Sequence, residues 1–177
     1  MIAKTKILPR YAETDQMGII HHSVYAIWYE QARTDFFNEI GMKYDEIEKM
    51  GIMTPLVELN CKYKRPAYYN QEVEIRTKII ELTPAKFTLE YNIFDSEENL
   101  INTGKTTLAW SDSKTFKIIN LKKKYPDMYE KLEQLVEKEW KIDWCNKVLE
   151  RGNIMLRYPR KMHGGELWAK IEVLENV

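Results

Sequence analysis

Residues 11–23 read Tyr-Ala-Glu-Thr-Asp-Gln-Met-Gly-Ile-Ile-His-His-Ser, so a carboxylate, Asp15, precedes Gly18, and two imidazoles, His21 and His22, run straight into Ser23. A carboxylate and an imidazole this near in sequence can move protons or attack a carbonyl. The apolar-striped segment after Ser23 reads as a helix, and Ser is favoured at a helix start. The first amides of a helix lack partners within it and carry partial positive charge, so an oxyanion could be held there, beside the acid. Residue type alone favours a plainer use, in which Asp15 fills a turn or caps the helix, and His21 in particular reads as a cap or a packing residue. Lys62, Lys64 and Arg65, ahead of Pro66, form either a solvated strand face or a contact for phosphate, which Arg meets in a fork geometry. Arg33 follows Glu30 at the i, i+3 spacing of an ion pair on one helix face.

The elements that must position these groups follow from periodicity. Residues 2–11 predict a first strand. Over 23–40, Tyr25, Trp28, Tyr29, Ala32, Phe36 and Ile40 recur at threes and fours, with Val24 and Ile27 widening the stripe, so the helix should be buried on most sides. Gly41 suits its stop, because the residue past a helix end often takes positive φ. Residues 44–50 predict one short helical piece. Val57, Leu59, Cys61 and Tyr63 then alternate with polar residues, as do Val73, Ile75, Thr77 and Ile79, and Phe87, Leu89, Tyr91 and Ile93, each a half-buried strand. Thr83-Pro84-Ala85 and Asp95-Ser96-Glu97-Glu98-Asn99 are hairpin-length connections, and 100–111 is a further strand containing Gly104. A helix begins at Pro126-Asp127 with Met128, Leu132, Leu135 and Val136 on its apolar stripe. The order predicts an α+β chain, an antiparallel sheet on one long helix, with a free edge that favours dimers.

The totals narrow the function classes. At 177 residues the chain is long enough for one well-packed domain, and Lys plus Arg equals Asp plus Glu at 27 each, so no net field draws it to nucleic acid. A hydrophobic fraction of 44% with five Trp and eleven Tyr marks a folded protein. Cys61 and Cys145, the two cysteines, lie in no C-x-x-C pair, which argues against structural zinc and a disulfide framework. Lys4, Lys6 and Arg10 interrupt any secretory apolar run, and no stretch is long enough to span a bilayer, so a cytoplasmic location is expected. No P-loop or G-x-S-x-G is present, which disfavours nucleotide hydrolysis and serine-hydrolase chemistry.

Tyr11, Glu13-Thr14-Asp15, Gly18, His22, Tyr25, Glu30 and Ala32-Arg33 together resemble the opening motif of the hotdog-fold acyl-CoA thioesterases, nearest the 4-hydroxybenzoyl-CoA thioesterase-like group. The similarity runs to about Trp110. The resemblance implies a hotdog fold and an acyl-CoA substrate, with no cofactor or metal and a homodimer or homotetramer. It makes Asp15 the general base or nucleophile and gives His22 a backbone N–H on the thioester oxygen. It puts Gly18, Ile19 and Tyr25 at the substrate and makes the coenzyme A phosphates the anion that Lys62, Lys64 and Arg65 would meet, a use that stands level with a solvated strand face. Two positions depart from the family pattern: Val24 stands where many relatives have Asn, and Tyr69-Asn70-Gln71 where they show Gly-Asp or Asp-Asp. Two alternatives stand beside the acyl-CoA thioesterase, an acyl-carrier-protein thioesterase and a non-catalytic acyl-CoA-binding dimer.

The expected organisation is a thioesterase domain over 1–140 and an extension over 141–177, a helix plus a hairpin. In the extension, 144–151 predicts a helix ended by Gly152, and Leu167, Ala169, Ile171 and Val173 alternate after Gly164-Gly165. The segment from Met155 has a weak similarity to that from Cys61, which an added hairpin explains better than the remnant of a second unit.

Overall fold

A computed structural model describes residues 1–136, so the expected 141–177 extension lies outside the described residues. Strand β1 (Ala3–Ile7) leads through a 3-10 turn over Tyr11–Glu13 to helix α1 (Val24–Glu39) and a short α2 (Tyr44–Lys49). Then come β2 (Ile52–Met53), β3 (Leu56–Tyr63), β4 (Val73–Leu82), β5 (Lys86–Phe94), β6 (Leu100–Ala109) and β7 (Ser111–Asp112), followed by α3 (Leu121–Lys124) and α4 (Pro126–Glu133). The main sheet is antiparallel in the order β1-β4-β5-β6-β3, and β2 pairs with β7 as a separate ribbon. One long helix packed on an antiparallel sheet is the hotdog arrangement that the opening motif implied.

The helix ends where expected, with Gly41 at φ +68°. Its inward stripe, Tyr25, Trp28, Tyr29, Ala32, Phe36 and Phe37, is buried against Ile75, Ile79, Phe87, Leu89, Ile93 and Trp110 of the sheet and its margin. Ile27 departs from the reading: it is 59% exposed, so the helix keeps one open face in the protomer. Strand β3 departs too. It is mostly exposed where a half-buried strand was expected, because β3 is an edge of the sheet and nothing among the described residues covers its outer margin. The strand expected over 100–111 divides after Ala109, and Ser111–Asp112 turns away to pair with β2. In α4, Met128 and Leu132 are buried as the stripe required.

The centre of the sheet carries a device that positions the helix. Gly104 lies opposite Tyr91 on one side and Cys61 on the other, and a Cβ built there would clash with the hydroxyl end of the Tyr29 ring. The missing side chain lets Tyr29 lie flat on the sheet, stacked on Tyr91 with centroids 4.5 Å apart. Its hydroxyl donates to Asn102 Oδ1 and lies 3.4 Å from Cys61 Sγ, which also accepts from Asn102 Nδ2 at 3.3 Å. Burial pushes the Tyr29 phenol strongly upward, so it stays protonated as a donor.

Candidate active site

The loop that carries Asp15 is a tight reversal sewn to the helix start. Asp15 N–H donates to Ile19 O at 2.9 Å, Gly18 N–H to Asp15 O at 3.0 Å, and Thr14 bridges Ile20. Gly18 has φ +75°, and a Cβ there would meet nothing within 4 Å. Gly18 is therefore needed for the turn itself. Ile20 N–H donates to Ala67 O at 2.9 Å and His21 N–H to Glu13 O at 2.8 Å, tying the loop to the chain entering β4 and to the 3-10 turn.

Asp15 is half-buried as a residue, and its carboxylate Oδ1 accepts the Met17 N–H at 2.8 Å. That bond fixes one carboxylate oxygen within the loop and leaves the other lone pairs for a substrate or a water. The contact to the acid is therefore a loop amide and not an amide of the helix start.

At the helix start the two histidines divide their work. His21 caps: its Nδ1 accepts from Ser23 N–H at 3.3 Å and lies 2.8 Å from Ser23 Oγ, while its carbonyl accepts Val24 N–H at 3.0 Å. These bonds occupy two of the helix-start amides. His22 is exposed, its ring 4.0 Å from that of His21, and among the described residues its backbone N–H meets no acceptor. Its carbonyl accepts the Tyr63 hydroxyl at 3.0 Å, so the edge strand β3 holds the peptide from the far side. Burial and the nearby Cys61 thiol push the Tyr63 phenol up to about 12, which keeps it a donor at neutral pH. Sequence reasoning missed Tyr63 as a positioning group; its place on the same strand face as Cys61 was the available signal.

The remaining candidates separate. Ile19 is half-buried beside Asp15, whereas Tyr25 is 2% exposed and packs edge-on to Tyr63 and against Trp28, each at 5.1 Å. Tyr25 thus builds the wall behind the loop. Cys61 and Tyr63 face the helix, so by strand alternation Lys62 points to the opposite face of the sheet. Lys64 and Arg65 lie just past the strand, Arg65 near enough to Asp95 to act on its carboxyl. Within one protomer Lys62 therefore points away from the His22 peptide that Tyr63 holds. Of the two departures from the family pattern, Val24 is buried, and Asn70 takes the left-handed turn position at φ 59°, a conformation Asn tolerates better than most residues.

Glu13 anchors the loop and yields a prediction. It is 8% exposed; its Oε2 accepts Arg10 N–H at 2.7 Å, and its Oε1 takes the Arg10 guanidinium at 2.8 Å. Burial alone would raise its pKa, but the Arg10 amide and guanidinium, with the Trp28 indole nearby, outweigh that and hold it below 4.5. A depressed folded pKa contributes stability that is present above the unfolded value and lost as pH falls through the folded one. Glu13→Gln is expected to cost about 1–2 kcal/mol at pH 7. In urea melts the gap between wild type and variant should close below pH 4.5; a pH-independent gap would mean that the charge on Glu13 does not matter.

Comparison with known proteins adds the following. The model of the thioesterase-like superfamily matches residues 9–134. YneP of Bacillus subtilis, provisionally named an acyl-CoA thioesterase, is 34% identical over 128 residues, 72% of this chain and 93% of its own length. The crystal structure of a DHNA-CoA thioesterase from Staphylococcus aureus superposes with a TM-score of 0.72 at 33% identity, covering 87% of this chain and 97% of that one. A hypothetical protein from Thermus thermophilus gives 0.70 at 36% identity, over 78% of this chain and all of that one.

Proposed function

The chain belongs to the thioesterase-like superfamily, and on that premise we propose that it hydrolyses an acyl-CoA thioester to the free acid and coenzyme A, using the Asp15 carboxylate and the His22 backbone N–H on the same carbonyl. The reading rests on the geometry of one loop, which fixes one oxygen of the Asp15 carboxylate and delivers an unengaged peptide N–H at the start of a 16-residue helix. As the tetrahedral intermediate forms, negative charge grows on the thioester oxygen. A peptide N–H backed by the helix dipole stabilises that charge more than it stabilises the substrate.

Asp15 either takes a proton from the attacking water or attacks the carbonyl itself, with water then cleaving the anhydride. In both routes the thiolate leaves and one water is consumed. Label found in the Asp15 carboxylate after a single turnover in H₂¹⁸O establishes the anhydride route, opened by water at the Asp15 carbon, because direct attack of water on the thioester puts the label only in the product acid. Release of thiol from a panel of short, long, branched and aromatic acyl-CoA and acyl-carrier thioesters tests the function. Tight binding without release would establish the non-catalytic alternative, and release only from carrier thioesters the carrier-protein one.

The protein works, in this proposal, as a homodimer joined through β3. The other sheet edge, β1, is short and guarded by Lys4 and Lys6, paired with Glu74 and Glu72. By contrast β3 exposes Leu56, Val57 and Leu59, the kind of edge that stays soluble by pairing. Sedimentation should give a dimer at micromolar concentration, and Leu59→Lys should shift it toward monomer; a wild-type monomer would contradict the proposed interface. Lys62, Lys64 and Arg65, along and just past β3, are proposed to meet the coenzyme A phosphates, the fork-shaped Arg65 being the best fitted of the three.

A further inference from the structure

The N–H proposed for the thioester oxygen belongs to the peptide unit joining His21 to His22, and the other end of that unit is tied, because His21 O accepts Val24 N–H at 3.0 Å. The next unit, joining His22 to Ser23, is tied at both ends. Its carbonyl, His22 O, accepts the Tyr63 hydroxyl at 3.0 Å, and its amide, Ser23 N–H, donates to His21 Nδ1 at 3.3 Å. Each peptide unit is planar and rigid, so tying both fixes the backbone angles of His22 and with them the direction of its N–H. Ser23, the residue type favoured at a helix start, leaves the capping to its neighbour. It is helical at φ −68°, its side chain caps no amide, and its Oγ lies 2.8 Å from His21 Nδ1.

The bond from Ser23 N–H sets the protonation state of the ring. A backbone N–H can only donate, so Nδ1 must present its lone pair, which makes the imidazole neutral with its proton on Nε2. A proton added at Nδ1 removes that acceptor. Ser23 Oγ takes the new N–H, Ser23 N–H is left facing a donor, and the peptide after His22 is held by Tyr63 alone. The added charge would stand at the positive end of the helix dipole, with the His22 ring 4.0 Å away. The titratable groups on the surrounding elements are Glu13, whose carboxylate is engaged by Arg10, Asp15, whose Oδ1 takes Met17 N–H, and His22 itself. Beyond these stand Tyr25 and Tyr63, phenols that burial keeps protonated, and Arg65 and Tyr68 on the chain beside Ala67, which ties the loop through Ile20. Among the described residues none of these groups makes a hydrogen bond to the His21 ring, whose partner is Ser23.

We propose that His21 is a positioning residue for the hydrolysis and that its ring is a proton-sensitive catch on the oxyanion site. Neutral, it keeps the His22 N–H aimed at the thioester oxygen; protonated, it releases the peptide behind that N–H and turnover falls. The proposal rests on the assignment of the thioester oxygen to the His22 N–H. Imidazole is the side chain whose charge ordinarily changes between about pH 5 and 8, whereas a carboxylate ordinarily gains its proton near pH 4. Opening of the catch is therefore separable from neutralisation of the catalytic acid on a pH profile. Removing an oxyanion donor outright costs about 10²–10³ in rate, and loosening one that stays tethered through Val24 and Tyr63 is expected to cost about tenfold.

The test follows kcat of the full-length protein on an acyl-CoA from about pH 5 to 8 by the loss of thioester absorbance, with thermal melts at both ends of the range to confirm folding. The wild type should lose about tenfold in kcat toward acid while KM stays within about threefold. His21→Asn supplies an amide oxygen that accepts Ser23 N–H and does not titrate. Its kcat should hold within about threefold across the range and, at the alkaline end, recover most of the tenfold that His21→Ala loses. His22→Asn keeps the backbone N–H and should keep the acid limb. Amide NMR of the ¹⁵N-labelled protein reads the catch without substrate: the Ser23 N–H should shift and its protection factor against exchange should fall as the His21 ring gains its proton. A wild-type kcat that is flat over the range, a full acid limb in folded His21→Asn, or a Ser23 amide unmoved by protonation of His21 overturns the proposal. A protein that hydrolyses no thioester refutes the function instead, and the Ser23 amide still decides the catch.

Discussion

Asp15→Asn is expected to melt with the wild type and to hydrolyse acyl-CoA about 10²–10⁴-fold more slowly, the contribution of a positioned acid or base. The amide oxygen can still accept the Met17 N–H that Asp15 Oδ1 accepts at 2.8 Å, so the reversal around Gly18 persists. What is lost is the ability to take a proton or to form a bond to the carbonyl carbon. The loss should fall on kcat, because the thioester and the coenzyme A portion are bound by other groups. Saturation kinetics of thiol release together with a thermal melt check it; turnover within threefold of wild type would remove Asp15 from the chemistry.

Gly104→Ala carries the largest expected effect on the fold. The new methyl group would have to share space with the Tyr29 ring, and that ring is held by stacking on Tyr91 and by its bond to Asn102. Overpacking of this kind costs about 1–3 kcal/mol, several degrees in Tm for a chain of this length. A displaced Tyr29 also lifts the first half of α1, so the cost should reach activity through the start of the helix. Urea denaturation measures it, and an unchanged midpoint would show that Tyr29 moves aside freely.

The interior was the most legible part of this sequence. Alternation in 73–79 and 87–93 marked the inward faces of β4 and β5, and Asp95 and Asn99 bounded the turn that joins β5 to β6. What alternation could not say is whether the marked face is covered by the same chain, and for that reason β3 and Ile27 read as buried yet are open in the protomer. The ribbon of Ile52–Met53 with Ser111–Asp112 is too short to show a period. At the site, the motif singled out Asp15 and His22 and left His21 to cap or to pack, and the bond from Ser23 N–H to His21 Nδ1 gives His21 the capping use. Arg33 was misread for a related cause: among the described residues it makes no ion pair with Glu30, its neighbour in sequence, and the groups close to it, Tyr44 of α2 and Tyr91 of β5, approach through the tertiary fold.

The account depends most on Asp15 and the His22 N–H converging on one carbonyl, and a crystal structure of the protein with an uncleavable acyl-CoA analogue that retains the carbonyl measures this directly. It should place the carbonyl oxygen about 2.7–3.1 Å from His22 N, with an Asp15 oxygen either about 3–3.5 Å from the carbonyl carbon or joined to it through one water. A carbonyl facing solvent, with the acid engaged by Met17 alone and remote from the ligand, would contradict it.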